Sequence, residues 1–156
     1  MGKDEIFLEV RDRLEIADAL YRFGAGIDFN RTDLLESAFA TDAVVDFGPA
    51  ARKAGLDFPL LTGRQMIVQV LTSTVGLLDT THSVTNPRIQ ITDDTAKLYA
   101  IVEAQHLPPH NHSRHFLMKN QYDVNLICSG ESWVINQMAV DNVWFTGEPN
   151  ILIGKG

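Results

Sequence analysis

The sequence predicts an α+β fold in which N-terminal helices wrap a curved, mostly antiparallel sheet. Three observations carry this. An amphipathic helical pattern runs through residues 5–28. Four strand-like runs follow one another from Asp79 to Phe145. Tight turns such as Asp93-Asp94-Thr95 and Ser129-Gly130-Glu131-Ser132 separate members of that series. Short acids and glycine suit such bends, and short connections make neighbouring strands antiparallel. Helices first and a run of strands after them is the order of an α+β protein.

Each element has its own signal. In the first helix Val10, Leu14, Ala17, Tyr21 and Gly24 recur at three- and four-residue steps and form one stripe. The same steps lead to Asp28, which at about 100° per residue falls within that arc. A carboxylate at the inward end of an apolar stripe is costly without a partner, so Asp28 is either a site residue or the cap of the next element. Thr32-Asp33-Leu34-Leu35-Glu36 opens a short second helix, with Thr32 as its cap. Asp42 to Phe47 is the first strand. Residues 48–62 read as a loop marked by Gly48-Pro49, Gly55 and Pro59, and Leu56, Phe58, Leu60 and Leu61 make it a flap lying on something. A third helix runs from Gly63 to near Gly76.

Two strands then carry one histidine each. Side chains alternate across a strand, so Leu98, Ala100, Val102, Ala104 and His106 share one face. That face is apolar until its last member, which places His106 toward the interior. His82 shares a face with Val84. Pro87 marks an edge or a bulge, because it cannot donate to a ladder. The strand from Phe116 to Cys128 presents Phe116, Met118, Asn120 and Tyr122 on its inner face, and Trp133 to Phe145 is the last strand. The tail 147–156 ends in Ile151-Leu152-Ile153 and is expected to contact a neighbouring subunit. The whole is read as one domain, residues 1–156, with its core at about 5–146.

Composition narrows the function. The chain has 156 residues, 45% hydrophobic and 21% charged, which suits a soluble globular domain. Its formal charge of -7 disfavours nucleic acid and anionic membrane as partners, since both recruit basic patches. Cys128 is the one cysteine, so neither an intramolecular disulfide nor a CxxC site can form. No apolar run approaches a membrane span and the N-terminus does not open like a signal peptide, so a cytoplasmic protein is expected.

The segments Tyr21-Arg22-Phe23-Gly24-Ala25-Gly26-Ile27-Asp28, Phe39 to Phe47, Thr81-His82, Asp94-Thr95-Ala96 and Trp133-Val134-Ile135 resemble, in that order, the SnoaL-like branch of the nuclear transport factor 2-like superfamily. Within it the chain is similar to scytalone dehydratase and hexachlorocyclohexane dehydrochlorinase. The resemblance implies a cone-shaped, cystatin-like α+β barrel with three helices and a deep apolar pocket, in a homo-oligomer, dimer or trimer. It implies catalytic roles for Asp28 and His82, with His106 matching a further histidine of the dehydratase. The positions of two carbonyl-orienting tyrosines in the dehydratase correspond to Ile27 and Phe47, a departure that argues against scytalone itself. The pocket wall is expected to include Tyr21, Ile27, Phe47, Met66, Val102, Met118, Asn120 and Tyr122.

The residue types fit proton transfer. A neutral imidazole at His82 is a suitable base near neutral pH, and Asp28 would fix its tautomer. His106 is expected to donate to a carbonyl or to a leaving hydroxyl. This set supports a cofactor-independent lyase, of dehydratase or dehydrohalogenase type, acting on a small hydrophobic cyclic or polyketide-like molecule. An enolising isomerase or cyclase would use the same cluster. A non-catalytic ligand-binding protein, with both histidines merely hydrogen-bonded, is the third reading. His110, His112 and His115 lack a carboxylate at close spacing in the sequence and read as a solvated loop rather than a metal site.

Overall fold

The computed structural model describes residues 1–154. The chain runs α1 (Lys3–Asp28), α2 (Thr32–Ser37), β1 (Phe39–Asp46), α3 (Gly48–Lys53), β2 (Leu61–Thr62), α4 (Arg64–Ser73), β3 (Asp79–Thr92), β4 (Thr95–Leu107), β5 (Phe116–Ser129) and β6 (Ser132–Gly147). A 3₁₀ turn at Val75–Leu77 follows α4, and a 3₁₀ helix at Pro149–Ile153 follows β6. The six strands form one curved, unclosed sheet in the order β2-β1-β6-β5-β4-β3. All its pairings are antiparallel except β1 with β6. The expected barrel is therefore open, with β2 and β3 at its edges.

The long strands β3 to β6 form a meander whose turns follow the residue chemistry. Asp93 adopts φ 52° between paired Thr92 and Thr95, and Gly130 adopts φ 68° between paired Ser129 and Ser132. Asp and Gly tolerate this left-handed region best. Pro87 sits where the β3–β4 register shifts, beside Asn86 at φ 53°, on an edge strand. Both alternatives read from that proline hold.

The buried face of α1 is rotated from the expected stripe. Ile16, Ala19, Leu20, Phe23 and Ile27 face the sheet; of the expected stripe Ala17 and Gly24 are buried, while Val10, Leu14 and Tyr21 are exposed. Both stripes satisfy helical spacing, but the observed one carries larger side chains where the helix meets the sheet. Burying each of Ile16, Leu20, Phe23 and Ile27 contributes about 1.5–3 kcal/mol. The first turns project beyond the sheet, leaving Ile6, Phe7 and Leu8 exposed. Arg22 fixes the docking angle by donating to the carbonyls of Ser37 and, at 3.0 Å, Trp133.

The segment 48–62 is more ordered than a loop. Pro49 lies in the first turn of α3, where its fixed φ suits a helix start, and the Gly48 N–H donates to Asp46 Oδ1 at 2.8 Å. Leu61 pairs with Val45 and is buried. Phe58 packs edge-on against Phe47, ring centroids 5.6 Å apart. The tail, expected at a subunit contact, turns back on its own chain and buries Ile151 in the core. It leaves β6 at Gly147, where φ is +96° and a Cβ would lie 2.1 Å from the His115 carbonyl oxygen. Among the described residues no helix is long and apolar enough to cross a membrane.

Candidate active site

Asp28 is the last residue of α1, and His82 lies on the inner face of β3 at the sheet edge. Gly24, one turn before Asp28, lets the two elements approach. A Cβ there would sit 3.0 Å from the His82 Cβ, closer than side-chain carbons ordinarily pack. The Asp28 carboxylate then receives three donors. His82 Nδ1 is 2.6 Å from Oδ1, the Thr80 hydroxyl donates to Oδ1 at 2.8 Å, and the His82 backbone N–H donates to Oδ2 at 2.7 Å. The side chains of His82 and Asp28 are only 5% and 14% exposed. Burial pushes the Asp28 carboxyl upward, but the His82 ring and amide and the Thr80 hydroxyl outweigh it and hold its pKa below the ordinary value. An ionised carboxylate only accepts, so His82 carries its proton on Nδ1. Nε2 makes no hydrogen bond among the described residues, and His82 lines the adjoining cavity.

His106, on β4, stands opposite Thr80 on β3 and opposite Phe116 on β5. Its ring lies 6.1 Å from that of His82, centroid to centroid and nearly perpendicular, and stacks on Phe116 at 5.8 Å. Its Nδ1 is 2.9 Å from the Phe116 carbonyl oxygen, which can only accept. Nδ1 therefore carries a proton. Burial first, then the neighbouring His82, pull the pKa down to about 4. The neutral ring leaves Nε2 as an acceptor. This reverses the donor role expected of His106: its one proton is held by the main chain.

A cavity of about 100 Å³ adjoins both rings. Ile27, Phe47, Met118, Asn120 and Tyr122 line it as expected. Three expected wall residues lie elsewhere. Tyr21 is 44% exposed and borders an outer groove with Asp28 and Phe29, because α1 is rotated about its axis. Met66 is 48% exposed, since Ile67, Val68 and Leu71 take the inner face of α4. Val102 is buried, but deeper along β4 than Ala104 and His106, the residues of that strand at the cavity. Sequence reasoning missed Phe23 and the small residues of α3 and its C-cap, Ala50, Ala51 and Ala54. It also missed Leu152 and Ile153 at the cavity. The apolar tail and the flap residue Phe58 were the available signals.

Asn120 is oriented by a second asparagine. The Asn142 amide donates to Asn120 Oδ1 at 2.9 Å and lies within 2.9 Å of the Trp144 carbonyl. The Asn120 amide is left with only a 3.9 Å contact to Met118 Sδ, and so offers a donor to the cavity. His112 instead pairs with Asp79 at 2.7 Å on the surface. Among the described residues no group of three or more His, Cys, Asp or Glu side chains is placed to hold a metal.

The fold recurs in solved structures. A candidate scytalone dehydratase from Novosphingobium aromaticivorans superposes with a TM-score of 0.75 at 19% identity, covering 99% of each chain. The hexachlorocyclohexane dehydrochlorinase LinA-type3 from Novosphingobium barchaimii gives 0.73 at 17% identity, covering 89% of this chain and 91% of that one. A protein of unknown function from Nostoc punctiforme with a cystatin-like fold gives 0.67 at 15%, over 84% and 90%. At these identities the likeness is one of fold. A search among curated proteins finds no match. In sequence, a family model of the SnoaL-like domain matches residues 8–139. With that match over most of its length, on the fold described, the chain belongs to the SnoaL-like domain family.

Proposed function

We propose that this protein is a cofactor-independent lyase of dehydratase or dehydrohalogenase type, acting on a small hydrophobic cyclic molecule. One observation carries the reading: the 2.6 Å Asp28–His82 pair, with His82 Nε2 free beside an apolar cavity. In the reaction Nε2 takes a proton from carbon, and Asp28 stabilises the imidazolium that forms. The apolar wall strengthens both interactions by excluding water. Because His106 has no proton to give, the imidazolium of His82 is the group that returns one to a leaving hydroxyl. A halide leaves without protonation.

The same economy favours an enolising isomerase or cyclase as the second reading. With His82 as the only proton carrier, returning the proton to another carbon is as available as giving it to a leaving group. Product analysis separates the two, using 3-hydroxycyclohexanone, chlorinated cyclohexanes and cyclohex-3-enone as probes. Elimination releases water or chloride, and isomerisation releases nothing. His82→Gln is expected to reduce turnover by about 10²–10⁴-fold. Wild-type rates retained by that variant would rule out His82 as the base in both readings, and no turnover of any probe by the wild-type protein would leave a ligand-binding protein.

A further inference from the structure

We propose that the Tyr122 hydroxyl is the donor that holds an enolate oxygen in this cavity, so that the ligand is a single-ring ketone or phenol rather than an alkyl halide. The inference rests on His82 acting as the base. It adds a residue on another strand and a substrate class.

Tyr122 lies in the middle of β5 and is 3% exposed. Its neighbours across the sheet are Ala100 on β4 and Val140 on β6, neither of which can bond a phenol. Among the described residues its hydroxyl has no hydrogen-bond partner. Nor is it sealed: the enclosed side-chain polar atoms without partners are Trp133 Nε1 and Asn136 Oδ1, and the Tyr122 oxygen is not one of them. Tyr122 borders both this cavity and an outer groove beside Arg88 and Asp123, but its side chain lies on the inner face of β5 with Met118 and Asn120, so the hydroxyl opens to the cavity beside His82 and His106. Its ring centroid is 6.1 Å from Phe23, whose own is 5.9 Å from His82, so phenol and imidazole flank one side chain.

Phenylalanine would fill the same site without the cost of desolvating a hydroxyl that nothing satisfies. The hydroxyl is therefore matched to a ligand. Burial, and behind it the negative charge of Asp28, push the phenol pKa upward, which keeps it a donor. A donor aimed where charge develops in a dry site is worth most against an oxyanion. His82 and His106 both present acceptors, so neither competes for that task; the Asn120 amide, two residues along the same face of β5, is the other donor to this cavity. The cavity of about 100 Å³ is smaller than the roughly 150 Å³ of a cavity that takes benzene, so it has room for no more than a single ring.

In the reaction His82 Nε2 takes the α-proton. The C–H electron pair becomes the new carbon–carbon π bond, and the carbonyl π pair moves to oxygen. Tyr122 donates a hydrogen bond to that oxygen and keeps its own proton. On collapse of the enolate a β-hydroxyl leaves with the proton from His82, as water, or the proton returns to carbon in an isomerisation.

The test uses 4-nitrophenol as an enolate mimic, titrated spectroscopically against wild type, Tyr122→Phe and His82→Gln. Wild type is expected to bind the phenolate at a pH where the free phenol is mostly neutral. Tyr122→Phe should lose that preference by about tenfold or more, as for a hydrogen bond to a charged group. His82→Gln should keep it. Absence of binding or of the phenolate preference in wild type, or its persistence in Tyr122→Phe, overturns the assignment. So does a melting temperature for Tyr122→Phe well below wild type, which would mean an internal partner. The base is scored separately by deuterium exchange into cyclohexanone. Exchange lost in His82→Gln but unchanged in Tyr122→Phe would leave the base standing and remove Tyr122. An intact phenolate preference with no exchange in wild type would do the reverse.

Discussion

Asp28 is ionised because His82, its backbone amide and Thr80 all donate to it, and the same contacts fix the His82 tautomer. Asp28→Asn presents either an amide oxygen or an amide N–H to His82 Nδ1, and Nε2 is no longer reliably the free base. Turnover is expected to fall by about 10²–10⁴-fold with little change in ligand affinity, checked by a kcat and KM split. His106 gives a different signature. Its pKa is about 4 in the folded chain against 6.5 unperturbed. Between those values the unfolded chain binds the proton and the folded chain does not, so stability falls as pH falls across that window. The full stabilisation is present above about pH 6.5, and the loss amounts to about 3 kcal/mol by pH 4. Urea unfolding at pH 7 and pH 4 should show a gap between wild type and His106→Gln that narrows by about that amount. Equal pH slopes for the two proteins would contradict it.

At the scale of elements, the contact of α1 with β3 decides whether the pair forms. Gly24→Ala places a methyl 3.0 Å from the His82 Cβ, and β3 is an edge strand with room to move outward. The expected result is a folded protein with sharply reduced turnover and a stability loss of about 1–3 kcal/mol from overpacking, read by assay and by denaturant titration. The small face of α3 should set ligand size. Ala51→Leu extends a side chain into the cavity and is expected to weaken binding of ring compounds while leaving the fold intact.

This scale also shows what could be read in the residues. Strand alternation put His82 and His106 on inner faces because β3 and β4 keep their pleat through that region, with the shift in register confined to Pro87. Asp28 was legible although only part of the stripe leading to it is buried. Ala17 and Gly24 of that stripe are buried, and Asp28 follows Gly24 by one turn on the side of the helix that meets His82. The α3 helix was not legible, because six residues bounded by Gly48 and Gly55 carry more turn signal than periodicity. The parallel pairing of β1 with β6 joins segments too distant for any local pattern to register.

For the molecule as a whole, the open sheet leaves a cavity covered by α3, the flap around Phe58, and the tail. The Arg114–Glu148 ion pair at 2.8 Å and the Glu148 N–H to the His115 carbonyl at 2.8 Å tie that tail to the loop preceding β5. Ile151→Ala should therefore cost about 2–5 kcal/mol, as for any buried isoleucine, and should loosen the tail over the cavity. We extend the proposal to a homo-oligomer, dimer or trimer, joined through surface that excludes the buried tail residue Ile151; light scattering checks the mass. The central claim is narrower: His82, held by Asp28, takes a proton from carbon. Deuterium exchange into cyclohexanone, followed by NMR for wild type, Asp28→Asn and His82→Gln, tests it most directly. The account predicts exchange in wild type, a large loss in Asp28→Asn and none above background in His82→Gln. Exchange that survives His82→Gln at the wild-type rate would contradict it.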